Sequence, residues 1–108
     1  MELRSLQRPG KPDAIARIVG HFLTETAERI VVLRTAVETG DAKLLEGAAH
    51  ALKGISGTVG ANEILDLAVR LEQFGRDGRT EGAADLVNEL ELALRRAQPI
   101  FDRLRGAA

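Results

Sequence analysis

His50 is the residue of this chain best placed to do chemistry, because of what its neighbours are. It lies in the stretch Asp41–Ala61, DAKLLEGAAHALKGISGTVGA. Apolar residues recur there at helical spacing: Leu44, Leu45, Ala48, Leu52, Ile55 and Val59. Set out at about 100° per residue, they share one side of a cylinder. His50 points to the other side, with Lys43, Glu46, Gly47, Lys53, Gly54 and Gly57 around it. The pattern predicts a helix over 41–59, with Asp41 as N-cap and Gly60 as stop signal. An imidazole on such a face is a nucleophile, since its unperturbed pKa of about 6.5 leaves the ring largely neutral at neutral pH.

The glycines say what approaches it. Each glycine inside a helix costs roughly 0.5–1 kcal/mol relative to alanine. Gly47, Gly54 and Gly57 on one face together cost roughly 2–3 kcal/mol, against a domain stability of about 5–15 kcal/mol. They lie away from the leucine stripe, so helix packing does not explain them. Access does: something large must come up to His50. The plainer alternative, an ordinary exposed histidine on a poorly optimised helix, leaves three glycines and Lys53 around one residue without a reason.

AHALKGISGTVGA resembles the signature of histidine-containing phosphotransfer (HPt) domains, a pattern close to A-H-x-L-K-G-x-x-x-x-x-G-A around a phosphorylated histidine. Ala49, His50, Leu52, Lys53, Gly54, Gly60 and Ala61 meet its fixed positions. LAVRLEQFGRDG, with Leu71 and Glu72, resembles the family's next helix, and FLTETAERIVVLRTAVETGD the helix before. The resemblance implies a relay domain: His50 accepts a phosphoryl group from a receiver-domain aspartate and passes it to another. Phosphoryl transfer needs positioning and charge stabilisation more than covalent help. In that frame His50 is the acceptor, Lys53 sits beside the phosphoryl oxygens, and Gly54 and Gly57 give steric room. The domain itself carries no cofactor; the Mg²⁺ for transfer belongs to the receiver. With no phosphate-binding Gly-rich loop and no kinase signature, the domain is expected to be no enzyme that phosphorylates itself.

Composition is compatible with this reading. The chain of 108 residues suits one domain, and with 44% apolar but only 3% aromatic residues its core must be aliphatic, favouring a helical bundle. Fifteen basic against sixteen acidic residues offer no basis for nucleic-acid or membrane-surface binding. The absence of cysteine excludes disulfides, thiolate zinc sites and a cysteine nucleophile. No apolar run reaches the ~20 residues of a membrane span, so a cytoplasmic domain is expected.

The elements that position His50 are predicted as four antiparallel helices, up-down-up-down. The first covers 12–39, with Pro12 and Asp13 in its opening turn, a stripe of Ile15, Ile18, Phe22, Thr26, Ile30, Leu33 and Val37, and Gly40 ending it. The third covers 62–75, capped by Asn62, with Ile64, Leu67, Ala68, Leu71 and Phe74 buried and Gly75 and Gly78 at the exit. The fourth covers 80–104, capped by Thr80 with Glu81 in its first turn, burying Leu86, Leu90, Leu94, Ala97, Phe101 and Leu104. Pro99 should kink that helix or end its regular part near Gln98. Residues 1–11, with Leu3 and Leu6 before Pro9 and Gly10, read as a turn capping the bundle. By resemblance this suggests a module excised from the C-terminus of a hybrid sensor kinase; a free-standing small protein is the alternative.

Four rivals compete. A kinase dimerisation domain carries an acidic residue after its histidine and a proline soon after, whereas Ala51 follows His50 here and the next proline after it is Pro99. A chemotaxis-kinase phosphotransfer domain would share the chemistry and differ in its donor. A helical bundle that binds a partner and transfers nothing is the alternative of a different class; His50 and Lys53 argue against it. A two-histidine metal site is the weakest alternative, because His21 and His50 fall on different helices with no carboxylate pair evidently placed to complete it, and His21 reads as a surface or boundary residue. Docking is expected around Glu46, Gly47 and Gly57 and on the first helix near His21. A monomer is the simplest expectation.

Overall fold

A computed structural model describes residues 13–59 and 61–106. Four helices account for most of it: α1 (Asp13–Thr39), α2 (Ala42–Val59), α3 (Asn62–Arg76) and α4 (Ala83–Gly106). No strand occurs among the described residues. Each helix packs on its neighbours in sequence, and α4 closes on α1, giving the antiparallel up-down-up-down bundle. Residues 1–12, among them Leu3, Leu6 and Pro12, and also Gly60 lie outside the described residues, as do the side chains of Val59 and Leu104.

The turn from α1 to α2 is two residues long because each is specialised. Gly40 takes a left-handed φ of 69°. Its N–H and that of Asp41 then return to the carbonyls of Val37 and Ala36 at 3.4 and 2.9 Å, closing the end of α1. Oδ1 of Asp41 accepts the N–H of Leu44 at 3.0 Å and opens α2. Gly78 ends α3 in the same way, at φ 74°, with Arg79 N–H bonded to the Phe74 carbonyl at 2.9 Å.

Several predicted details differ. Asn62 is the first residue of α3, and Ala61 stands at the cap position without a side-chain bond. Gly82 takes φ 87°, and α4 starts after it, at Ala83, beyond the predicted Thr80 and Glu81. Of the two outcomes expected at Pro99, an end to the helix does not occur: α4 runs past the expected 104 to Gly106 with Pro99 inside it. Phe101 anchors the far side of the proline: its ring stands 5.1 Å from that of Phe22 on α1, so packing overrides the lost backbone bond. The missing N–H falls where Arg95 and Pro99 face solvent, and water can take the freed carbonyl.

The core is mainly aliphatic, with Leu33, Leu45, Leu52, Ile64, Leu71 and Leu90 fully enclosed beside the Phe22–Phe101 pair. The buried stripe of α2 is turned slightly from the predicted one: Leu44 is exposed, Ile55 is half-buried, and Ala49 and Ser56 are enclosed. That rotation follows from α2 lying between α1 and α3, so that small residues fill its second contact. On α1, Val19 and Ala36 are buried where Ile18 and Val37 were expected, and these two are half-buried. On α4, Ala83, Val87 and Ala93 are enclosed, with Leu86, Leu94 and Ala97 at the margin.

Gly75 sets the distance between α2 and α3. It is buried in the last turn of α3, one residue before the helix ends at Arg76. A Cβ at this position would lie 2.5 Å from the backbone nitrogen of Glu46 and 2.7 Å from the Ala42 carbonyl oxygen. Only glycine permits this backbone-to-backbone approach. One turn earlier on the same face of α3 stands Glu72, thereby carried against the outer edge of α2.

Candidate functional site

Glu72 is buried, its side chain 6% exposed, and a carboxylate in that position requires partners. It has three. Nδ1 of His50 is 2.6 Å from Oε2, Nζ of Lys53 donates to Oε1 at 2.8 Å, and Nη2 of Arg76 is 3.5 Å from Oε2. The Lys53 hydrogen bond holds the Glu72 carboxyl below its ordinary range; burial pushes the other way, and the His50 hydrogen bond adds to the lowering. Glu72 is therefore an anion at neutral pH, and an ionised carboxylate only accepts. The proton between the two groups then belongs to Nδ1, which leaves the lone pair of the neutral ring on Nε2.

The ring itself stays open to solvent, with 70% of the His50 side chain exposed. Helical side chains lean toward the N-terminus, so the ring lies over the turn of Glu46 and Gly47. Among the described residues, added Cβ atoms at Gly47, Gly54 and Gly57 would meet nothing within 4 Å, so the outer face of α2 is open at these three positions around His50. A recess of about 460 Å³ lies on the α3 side of the histidine, lined by Lys43, Glu46, Gly47, His50, Glu72 and Arg76. Nε of Arg76 also stands 3.6 Å from Oε2 of Glu46.

On the other side of α2, toward α1, runs an apolar groove of about 580 Å³. Ile18 and Phe22 of α1 and Ala51, Gly54 and Ile55 of α2 form it, with Arg17 and His21 beside them. His21 is exposed at the surface, 3.9 Å from Glu25. The groove adjoins the turn that carries His50, so an apolar footing lies next to the accessible ring.

His50, Lys53, Gly54 and Gly57, singled out by sequence, all lie on the outer face of α2, and the first two converge on one carboxylate. Lys53, expected beside an incoming phosphoryl group, has its ammonium against Glu72. Glu72 escaped the sequence reading as a functional residue. One signal could have found it: an acid within the stripe Ala68, Leu71, Gly75, where burial demands a cation from a neighbouring helix. His21 and His50 are not brought together, and no group of His, Cys, Asp or Glu among the described residues could hold a metal ion. No helix among them is long and apolar enough to cross a membrane.

Comparison with known proteins bears on the family and the fold. Residues 17–99 match the family model described as the Hpt domain. Histidine-containing phosphotransfer protein 5 of Arabidopsis thaliana is 31% identical over 93 residues, covering 83% of this chain and 59% of that protein. Histidine-containing phosphotransfer protein 2 of the same plant is 26% identical over 94 residues, covering 84% of this chain and 60% of that protein. The chain thus spans about three fifths of the length of these curated relatives. The crystal structure of histidine-containing phosphotransfer protein B (HptB) from Pseudomonas aeruginosa PAO1 superposes with a TM-score of 0.89 at 28% identity, over 98% of this chain and 91% of that one.

Proposed function

The chain belongs to the Hpt domain family, and we propose that it is a phosphorelay carrier in which Nε2 of His50 takes a phosphoryl group from one receiver-domain aspartate and yields it to another. The observation that carries this reading is the exposed imidazole whose Nδ1 is held 2.6 Å from a buried carboxylate. Glu72 keeps the proton on Nδ1 and turns the Nε2 lone pair outward, in the tautomer an attacking nitrogen needs.

In the accepting step the Nε2–P bond forms as the P–O bond of the aspartyl phosphate breaks, and the aspartate leaves as a carboxylate. The ring then carries phosphorus on Nε2 and hydrogen on Nδ1, and the positive charge this creates faces Glu72. The donating step is the reverse, with the second aspartate as nucleophile. Because the same carboxylate stabilises the charged ring in both directions, the carrier remains a competent donor. Mg²⁺ for each step is the receiver's, and this chain contributes position and charge rather than kinase activity. A receiver seats its apolar surface on the groove of Ile18, Phe22, Ala51 and Ile55, and the bare face of Gly47, Gly54 and Gly57 lets its loops close over His50.

The test incubates a phosphorylated receiver and Mg²⁺ with the wild-type chain and with His50→Gln. Acid-labile, base-stable label on the wild type alone is the expected result. A folded chain that takes no label from any of several receivers is instead a bundle that binds partners and transfers nothing.

A further inference from the structure

The cation that meets the phosphoryl group need not be the one nearest to His50 in sequence. Lys53 is committed: its ammonium sits 2.8 Å from Oε1 of Glu72, with the side chain only 36% exposed. Removing it would leave a buried carboxylate without the nearer of its two permanent cations, just as a second anion arrives beside it. Arg76 is in the opposite condition. Its contacts with Glu72 and Glu46, at 3.5 and 3.6 Å, are longer than good hydrogen bonds, and the side chain is 57% exposed. Such a pair holds its guanidinium weakly.

Position favours the same residue. Arg76 and His50 approach one oxygen, Oε2 of Glu72, at 3.5 and 2.6 Å, so the guanidinium stands within a side-chain rotation of the ring. Both line the recess on the α3 side of the histidine, where Gly47 contributes no bulk and Lys43 adds a second cation. A planar guanidinium offers a fork of donors to two phosphoryl oxygens at once, which an ammonium does not.

Resting on the relay reading above, we infer that Arg76 is a mobile clamp, which leaves Glu46 and Glu72 when His50 is phosphorylated and closes on the phosphoryl oxygens. Lys53 stays on Glu72 and keeps the ring oriented. The division of labour gives each anion its own cation: Lys53 for the carboxylate, Arg76 for the phosphoryl group, with Lys43 at the rim of the recess. Releasing Glu46 also changes the face offered to a partner, so the loaded and empty carriers differ in charge pattern beyond the phosphoryl group itself.

Phosphoramidate serves as the donor, so that no cognate receiver is required: Nε2 displaces ammonia from phosphorus. In a chain labelled with ¹⁵N-arginine, one guanidinium resonance should move on phosphorylation, and that resonance should be missing in Arg76→Gln. Arg76→Gln should be phosphorylated about three- to tenfold more slowly, with Arg76→Lys in between and circular dichroism unchanged for both. An Arg76 resonance that stays in place while ³¹P spectra report a loaded His50 overturns the clamp and leaves the relay standing. A wild-type chain that phosphoramidate does not phosphorylate removes both. Since the resonance shift is read on the wild type, the inference stays testable even if a variant folds poorly.

Discussion

Oε2 of Glu72 lies 2.6 Å from Nδ1 of His50, although the two residues are 22 positions apart and on different helices. The carboxylate has Lys53 on its other oxygen and little solvent around it, so the contact orients the ring as well as pairing with it. In water a neutral imidazole divides between two tautomers; here one is selected. Nitrogen-15 spectra of the neutral ring should report hydrogen on Nδ1 in the wild type and a shift toward Nε2–H in Glu72→Ala. Transfer from a receiver should slow about three- to tenfold in that variant, in step with the lost tautomer. Equal tautomer populations in the two proteins would remove the orienting role.

That contact depends on Gly75. A methyl group there would lie 2.5 Å from the backbone of Glu46, and backbone cannot rotate away as a side chain can. The helices must separate, carrying Glu72 away from His50. Gly75→Ala should therefore cost about 1–3 kcal/mol, in spite of the better helix propensity of alanine. For a domain of this size each kcal/mol corresponds to roughly 4–8 °C in Tm. A melting temperature at or above that of the wild type would mean that α2 and α3 do not approach so closely.

How far this was legible beforehand differs by element. The 3–4 spacing of leucines located all four helices, and Gly40 and Gly78 marked two of their ends, because those signals are local. The start of α4 was not legible, and although the stripe carried the helix to Phe101, the sequence left open whether Pro99 would end its regular part. There the outcome turns on the left-handed Gly82 and on Phe101 reaching Phe22, both matters of packing. His50, Lys53, Gly54 and Gly57 could be placed on one face from spacing alone. Glu72 could not, since its role arises from α3 approaching α2 over Gly75, a contact between segments remote in sequence.

The pH dependence of stability follows from Glu72. Its carboxyl is held below the ordinary range, chiefly by the Lys53 hydrogen bond and against the effect of burial. A folded pKa below the unfolded value of about 4.3 means that the folded chain binds the proton less readily. The pairing therefore stabilises the fold above that value, and the gain is lost as pH falls through the lower folded value. Glu72→Gln cannot ionise and lacks this contribution at any pH. Urea denaturation should find the wild type more stable than Glu72→Gln at pH 7, with the gap narrowing below about pH 4. A gap of the same size at both pH values would place the effect of the mutation in packing.

The glycines of the outer face set stability against access, and here the two move in opposite directions. Added Cβ atoms at Gly47, Gly54 and Gly57 meet nothing within 4 Å among the described residues, so no packing between those residues requires glycine there. Alanine at any one of them should raise helix stability by roughly 0.5–1 kcal/mol. Gly54→Leu should likewise keep helicity and Tm at or above those of the wild type. It should nevertheless slow phosphotransfer from a receiver sharply, because the leucine would stand between the groove and His50, where the partner must close. Phosphorylation by phosphoramidate, which needs no docking, should be nearly unchanged in the same variant. That pair of rates separates obstruction of the partner from damage to the histidine. If receiver and small donor were slowed alike, Gly54 would be acting on the ring itself; if neither were slowed, the open face would serve some purpose other than access.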